Sequence, residues 1–161
     1  MALRRLKNLS DNPGTAILQA LDDLRAVERM KARYVVSMGT WHEPQADGRC
    51  AVCLAGAVMA RRDAVTPLDE VSTSHFVEAD ARKLDALDAF RSSWWSGCSY
   101  WTKGFSDGWP YEVAADFFDA LPYVPPYDFD PRGFKAALRR GAKALEKEWP
   151  RLRRRLRKVA A

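Results

Sequence analysis

Cys50-Ala51-Val52-Cys53-Leu54-Ala55-Gly56-Ala57-Val58-Met59-Ala60 is the longest uncharged apolar run in the chain, and its reading decides the fold. A continuous apolar run has neither the alternation of a half-exposed strand nor the polar face of a surface helix, so periodicity alone does not classify it. Its small residues favour a buried helix that lets neighbouring elements approach closely; a short buried strand is the rival reading. It falls well short of the ~20 apolar residues that a membrane-spanning helix needs.

Outward from this run the pattern is helical. Asn12-Pro13 carries a helix-start signal, with Ser10, Asp11 or Asn12 as the cap and Pro13 in the first turn. Ile17, Leu21, Leu24, Val27, Met30 and Tyr34 then recur at steps of three and four. Tyr34 to Met38 is β-branched and stops at Gly39, which predicts a short strand, and residues 39–49 have the composition of a loop. A helix is expected from Glu78 to Phe90, with Ala81, Leu84, Leu87 and Phe90 inward, and another from Pro110 to Leu121. The Pro- and Tyr-rich segment Pro122–Asp130 reads as extended. In the last helix, opened by Asp130-Pro131, the stripe Phe134, Leu138, Gly141 or Ala142, Leu145, Trp149, Leu152, Leu156 and Val159 keeps phase across Pro150. A kinked continuation is expected there. The fold class is therefore mainly α: a single compact domain of about five helices, at most a short strand element, and a basic amphipathic C-terminal helix.

Charge is distributed unevenly. The 161 residues sum to +5, yet Met1 to Pro131 holds 14 basic and 19 acidic residues, and Arg132 to Ala161 holds 12 basic and 2 acidic ones. The expected organisation is an acidic helical body over residues 1–131 and a basic C-terminal helix over 132–161, in one domain overall. That helix either packs on the body or extends from it.

Three constellations carry candidate chemistry. Arg151, Arg153, Arg154, Arg155, Arg157 and Lys158 crowd the end of the last helix, where guanidinium forks match phosphate or another polyanion. The bland alternative is a solvated face or a clamp onto the acidic body, and an anionic membrane is the least favoured partner. The apolar stripe beneath them would serve for docking on the body, on a partner helix or on a second copy. Seven aromatics fall between Trp94 and Tyr111, and Trp94, Trp95, Trp101 and Trp109 are candidates for lining a pocket, against the alternative of core packing. His42, Cys50 and Cys53, with Cys98 or His75 as a fourth ligand, form a candidate zinc set. Packing is the simpler expectation for these cysteines, and no cofactor is called for.

Catalytic signatures are missing from the sequence. There is no G-x-S-x-G, no Walker A loop and no G-x-G-x-x-G. The H-x-E…P-C-x-x-C pattern of zinc deaminases also fails, because Glu43 directly follows His42 and no proline precedes Cys50. Three cysteines are an odd number for a disulfide framework. Met1 to Lys7 lacks the apolar core of a signal peptide, so a cytoplasmic location is expected.

Trp41-His42-Glu43-Pro44 together with the Cys50–Ala60 run resembles a group of small uncharacterised proteins of tailed bacteriophages and prophages. The likeness covers about 20 residues and continues more loosely through Leu84–Trp95. It implies a context, the bacterial host cytoplasm, and no catalytic residue. The expectation is a non-enzymatic accessory protein, early-acting or anti-defence, that binds a host macromolecule, most readily a host protein. A nucleic-acid-binding regulator using the basic helix is the alternative, and a small zinc-dependent enzyme or zinc-stabilised module the third reading.

Overall fold

A computed structural model describes residues 2–37, 41–63, 65–67, 69–96 and 131–159. Among these the fold is mainly α with a small sheet: helices α1 (Pro13–Arg29), α2 (Leu54–Arg62), α3 (Glu78–Ser96) and α4 (Pro131–Val159), strands β1 (Tyr34–Val36), β2 (His42–Pro44) and β3 (Cys50–Val52), and a 3-10 turn over Thr73–His75. The helix expected at Pro110–Leu121 and the extended segment Pro122–Asp130 lie outside the described residues. The chain divides into two compact units, one of Met1–Leu9 with Gln19–Asp88, the other of Ser10–Leu18 with Ala89–Ala161.

In the first unit the deciding run is divided between two structures. Cys50–Val52 is the central strand of the sheet, with order β1-β3-β2, and Leu54 starts α2. The reading of Cys50–Ala60 as one helix is thus corrected. The physical reason is burial: a strand covered on both faces is as uniformly apolar as a buried helix. All three residues of β3 are buried, as are Leu54 to Met59. β1 pairs parallel with β3 through Tyr34↔Cys50 to Val36↔Val52, and β2 pairs antiparallel through His42↔Val52 to Pro44↔Cys50.

A second correction concerns residues 39–49, expected to be a loop, because His42–Pro44 is a strand. It is an edge strand, where proline is tolerated. The turn back to β3 has Gly48 at φ 83°, and the Asp47 carboxylate accepts bonds from the Arg49 backbone N–H (3.0 Å) and its Nε (2.7 Å).

One glycine sets how α2 meets this sheet. A Cβ on Gly56 would stand 1.6 Å from the Trp41 carbonyl oxygen, so only a hydrogen permits the approach. The Cys53 N–H donates to the same carbonyl (3.4 Å), tying the head of α2 to the start of β2. At the other end of α2, Arg62 donates through Nε to Asp23 of α1 (2.6 Å). Burial nevertheless pushes the Asp23 carboxyl above its usual pKa, outweighing the guanidinium beside it. The N-terminal segment crosses the 3-10 turn, with the Arg4 N–H bonded to the His75 carbonyl (2.9 Å) and the Arg4 guanidinium to Asp63 (2.8 Å).

In the second unit, the start of α1 meets α4 closely. Asn12 caps α1, its Oδ1 accepting the N–H groups of Gly14 (3.0 Å) and Thr15 (3.3 Å). Its Nδ2 donates to the Glu146 carbonyl (3.3 Å). In an α-helix that carbonyl would be served by the N–H four residues on, and Pro150 has none. Asn12 therefore fills the vacancy that the proline creates. Thr15 adds a bond to Glu146 Oε1 (2.8 Å), and a Cβ on Gly14 would lie 2.2 Å from the Glu146 nitrogen. α4 continues through Pro150 to Val159.

Candidate functional site

The stripe along α4 and the arginines around it separate cleanly. Leu138, Ala142, Leu145, Trp149 and Leu152 are buried, Trp149 to 5% exposure, whereas Arg151, Arg153, Arg154, Arg155, Arg157 and Lys158 are all exposed. Each buried Leu stabilises the fold by roughly 1.5–3 kcal/mol relative to an exposed one. Arg151 is paired with Glu148 one turn back at 2.8 Å. The other five cations form no ion pair among the described residues. Arg157 and Lys158 occupy the last turn, where the helix dipole favours positive charge.

Of the candidate aromatics, Trp94 and Trp95 are on the last turns of α3, while Trp101 and Trp109 lie outside the described residues.

The histidines and cysteines of the candidate zinc set fall in the first unit, apart from Cys98, which lies outside the described residues. β2 and β3 bring His42 and Cys50 together, with Nδ1 3.3 Å from Sγ. Cys53 sits at the head of α2, its Sγ 3.9 Å from the Trp41 carbonyl. Among the described residues no three His, Cys, Asp or Glu side chains converge on a metal position.

No family model, curated protein or solved structure matches this chain. The chemistry of the site rests on its own geometry.

That geometry holds both groups of the His42–Cys50 pair neutral. His42 Nδ1 lies 2.9 Å from the Asp69 carbonyl, which can only accept, so Nδ1 carries the proton and Nε2 the lone pair. Burial lowers the His42 pKa, against the pull of the Asp69 carbonyl. Burial also pushes the Cys50 thiol up to about 11, and Sγ donates to the Ala51 carbonyl (3.6 Å). A nucleophilic thiolate–imidazolium pair needs the opposite shifts.

Beside the pair a cleft of about 440 Å³ opens, lined by Trp41, His42 and Glu43 from the β2 segment and by Glu70, Val71, Ser72 and His75. The Ser72 N–H donates to His75 Nδ1 (3.0 Å) while the Ser72 hydroxyl faces the same ring nitrogen (3.3 Å), in a capping box around the 3-10 turn. His75 therefore keeps its proton on Nε2, the reverse of His42. Sequence reasoning named both histidines but not their meeting in one cleft with Glu43 and Glu70. No spacing signal joins residues 41–43 to 70–75, because the parallel bridge between Arg4 and Phe76 that holds the 3-10 turn is made by the remote N-terminal segment.

Proposed function

We propose that the protein is a non-enzymatic accessory protein that binds a polyanionic macromolecule, a nucleic acid, through the exposed cations at the end of α4. The observation that carries this reading is the orientation of that helix: Leu138, Ala142, Leu145, Trp149 and Leu152 are buried while Arg151, Arg153, Arg154, Arg155, Arg157 and Lys158 are exposed. Five guanidinium forks and an ammonium within eight residues match a run of phosphates and carry no base-reading pattern, so backbone binding with little sequence preference follows.

The resemblance to phage and prophage proteins supplies the setting, an accessory role in the cytoplasm of a bacterial host. The neutral His42–Cys50 pair supports a binding function over nucleophilic catalysis.

Gel retardation tests the reading. The protein at low salt is expected to shift a DNA or RNA duplex of arbitrary sequence. The variant Arg153→Glu/Arg154→Glu/Arg155→Glu, altered only at exposed positions, is expected to keep the fold and lose the shift. Failure of the unaltered protein to retard either duplex at low salt would sink the nucleic-acid reading. Capture of one acidic host protein by the same face would then replace it.

A further inference from the structure

We propose that the nucleic acid bound by α4 is double-stranded, and that the contact runs along the whole outer crest of the helix from Arg140 to Lys158. Arg140, Lys143 and Lys147 then join the binding surface. This deepens the polyanion reading above and rests on it.

The first observation is geometric. Arg140, Lys143, Lys147, Arg151, Arg154 and Lys158 recur at steps of three and four, and all six are exposed. On a helix turning about 100° per residue they fall within an arc of about 80°. Leu138, Ala142, Leu145, Trp149 and Leu152 occupy the opposite side and are buried. The helix is continuous through Pro150. At about 1.5 Å per residue the crest is roughly 27 Å long, the axial length of about eight base pairs.

The second observation is energetic. A solvated helix face gains from opposite charges three and four residues apart, and like charges at those spacings destabilise it. The crest sets cation beside cation at every step. Glu146 and Glu148, the only acidic residues of α4, stand off the crest: Glu146 accepts a bond from the Thr15 hydroxyl (2.8 Å), and Glu148 pairs with Arg151 (2.8 Å). The other five crest cations form no ion pair among the described residues. The fold thus carries a repulsion that a polyanion laid along the crest relieves, the pattern of a surface that trades stability for binding.

The composition of the same face selects the duplex. Proteins that hold single strands stack the bases on aromatic side chains. Among the described residues α4 exposes no aromatic, since Trp149 is buried. A helix lying on a membrane turns its apolar face to the lipid, and here that face is buried in the protein. A duplex presents its phosphates outward, one charge per about 1.7 Å of axis, and asks for positive charge alone.

Fluorescence anisotropy of the full chain with a labelled DNA duplex of about 16 base pairs, and with one of its strands alone, tests the proposal. Arg140→Gln/Lys143→Gln/Lys147→Gln, at exposed positions outside the terminal cluster, is expected to flatten the log–log salt slope by about 2–3 and to weaken duplex binding at moderate salt at least roughly tenfold. Its Tm should equal or exceed that of the parent, because three repulsive steps are removed. Lys147→Glu turns two repulsive steps into attractive ones, so it should raise Tm by roughly 2–8 °C while weakening duplex binding. The single strand should bind roughly tenfold more weakly than the duplex. If the triple glutamine variant keeps the parental slope and affinity while Arg153→Glu/Arg154→Glu/Arg155→Glu loses binding, the contact is confined to the helix end and this proposal alone is overturned. Equal binding of the single strand, or a lower Tm in both crest variants, would also overturn it. A parent protein that binds neither probe at low salt would sink the polyanion reading itself.

Discussion

Replacing Gly14 by alanine places one methyl group where α1 meets α4. The added Cβ falls 2.2 Å from the Glu146 nitrogen, 2.5 Å from the Ala142 oxygen and 2.6 Å from the Glu146 Cα. All three are backbone atoms, so no side-chain rotation relieves the clash, and the helices must part by about 1 Å to restore van der Waals distance. Overpacking of this kind costs about 1–3 kcal/mol. Parting also stretches the 3.3 Å bond from Asn12 to the Glu146 carbonyl, worth about 1 kcal/mol. The better helix propensity of alanine returns at most about 1 kcal/mol. The net expectation is a loss of about 1–3 kcal/mol, read as a fall in Tm of roughly 2–12 °C by circular dichroism. Gly48→Ala is the comparator: its Cβ meets nothing within 4 Å, and its φ of 83° charges only about 1–2 kcal/mol of conformational strain. A Gly14→Ala protein as stable as the parent, or more so, would refute the contact between Gly14 and the backbone of α4.

Other outcomes follow from the first unit. Gly56→Ala drives a Cβ into the Trp41 carbonyl at 1.6 Å and is expected to cost about 3 kcal/mol or more by urea unfolding; a loss below about 1 kcal/mol would contradict the approach of α2 to β2. Cys50 and Cys53, both buried and the first with its pKa raised to about 11, are expected to escape iodoacetamide at neutral pH and to react in denaturant, as peptide mass mapping would show. Ready alkylation in the native protein would count against that burial. His42 is expected to titrate below 6.5 by proton NMR. The unfolded chain then takes up that proton first, so the stability contributed by His42 is intact above 6.5 and is lost as pH falls from 6.5 towards the folded pKa. A urea midpoint that rises on acidification through this window would contradict the burial of a neutral imidazole.

How far the sequence discloses the structure varies with the element. α1 and α4 are legible because their apolar stripes keep the helical period over many turns, and Asn12-Pro13 announces the α1 start. α3 runs on to Ser96, beyond the expected stop at Phe90, since no glycine or proline interrupts it. The Cys50–Ala60 run hides a strand-to-helix change because complete burial erases both periodicities. His42–Pro44 is too short to show alternation, and its proline suggests a loop. For the site, the cationic cluster is visible from composition alone, whereas its outward orientation depends on which face of α4 is buried. The cleft was not legible, because it is assembled by an N-terminal segment, a hairpin and a 3-10 turn that share no motif.

The central claim is that the outward cations of α4 grip a phosphate backbone, and the salt dependence of binding tests it most directly. Fluorescence anisotropy of a labelled duplex, followed from low to moderate salt, should give a log–log slope of about −4 to −5 if five of the six cations engage phosphates. Arg153→Glu/Arg154→Glu/Arg155→Glu should flatten that slope and abolish binding at moderate salt. Binding that ignores salt, or survives the triple charge reversal undiminished, would contradict the account.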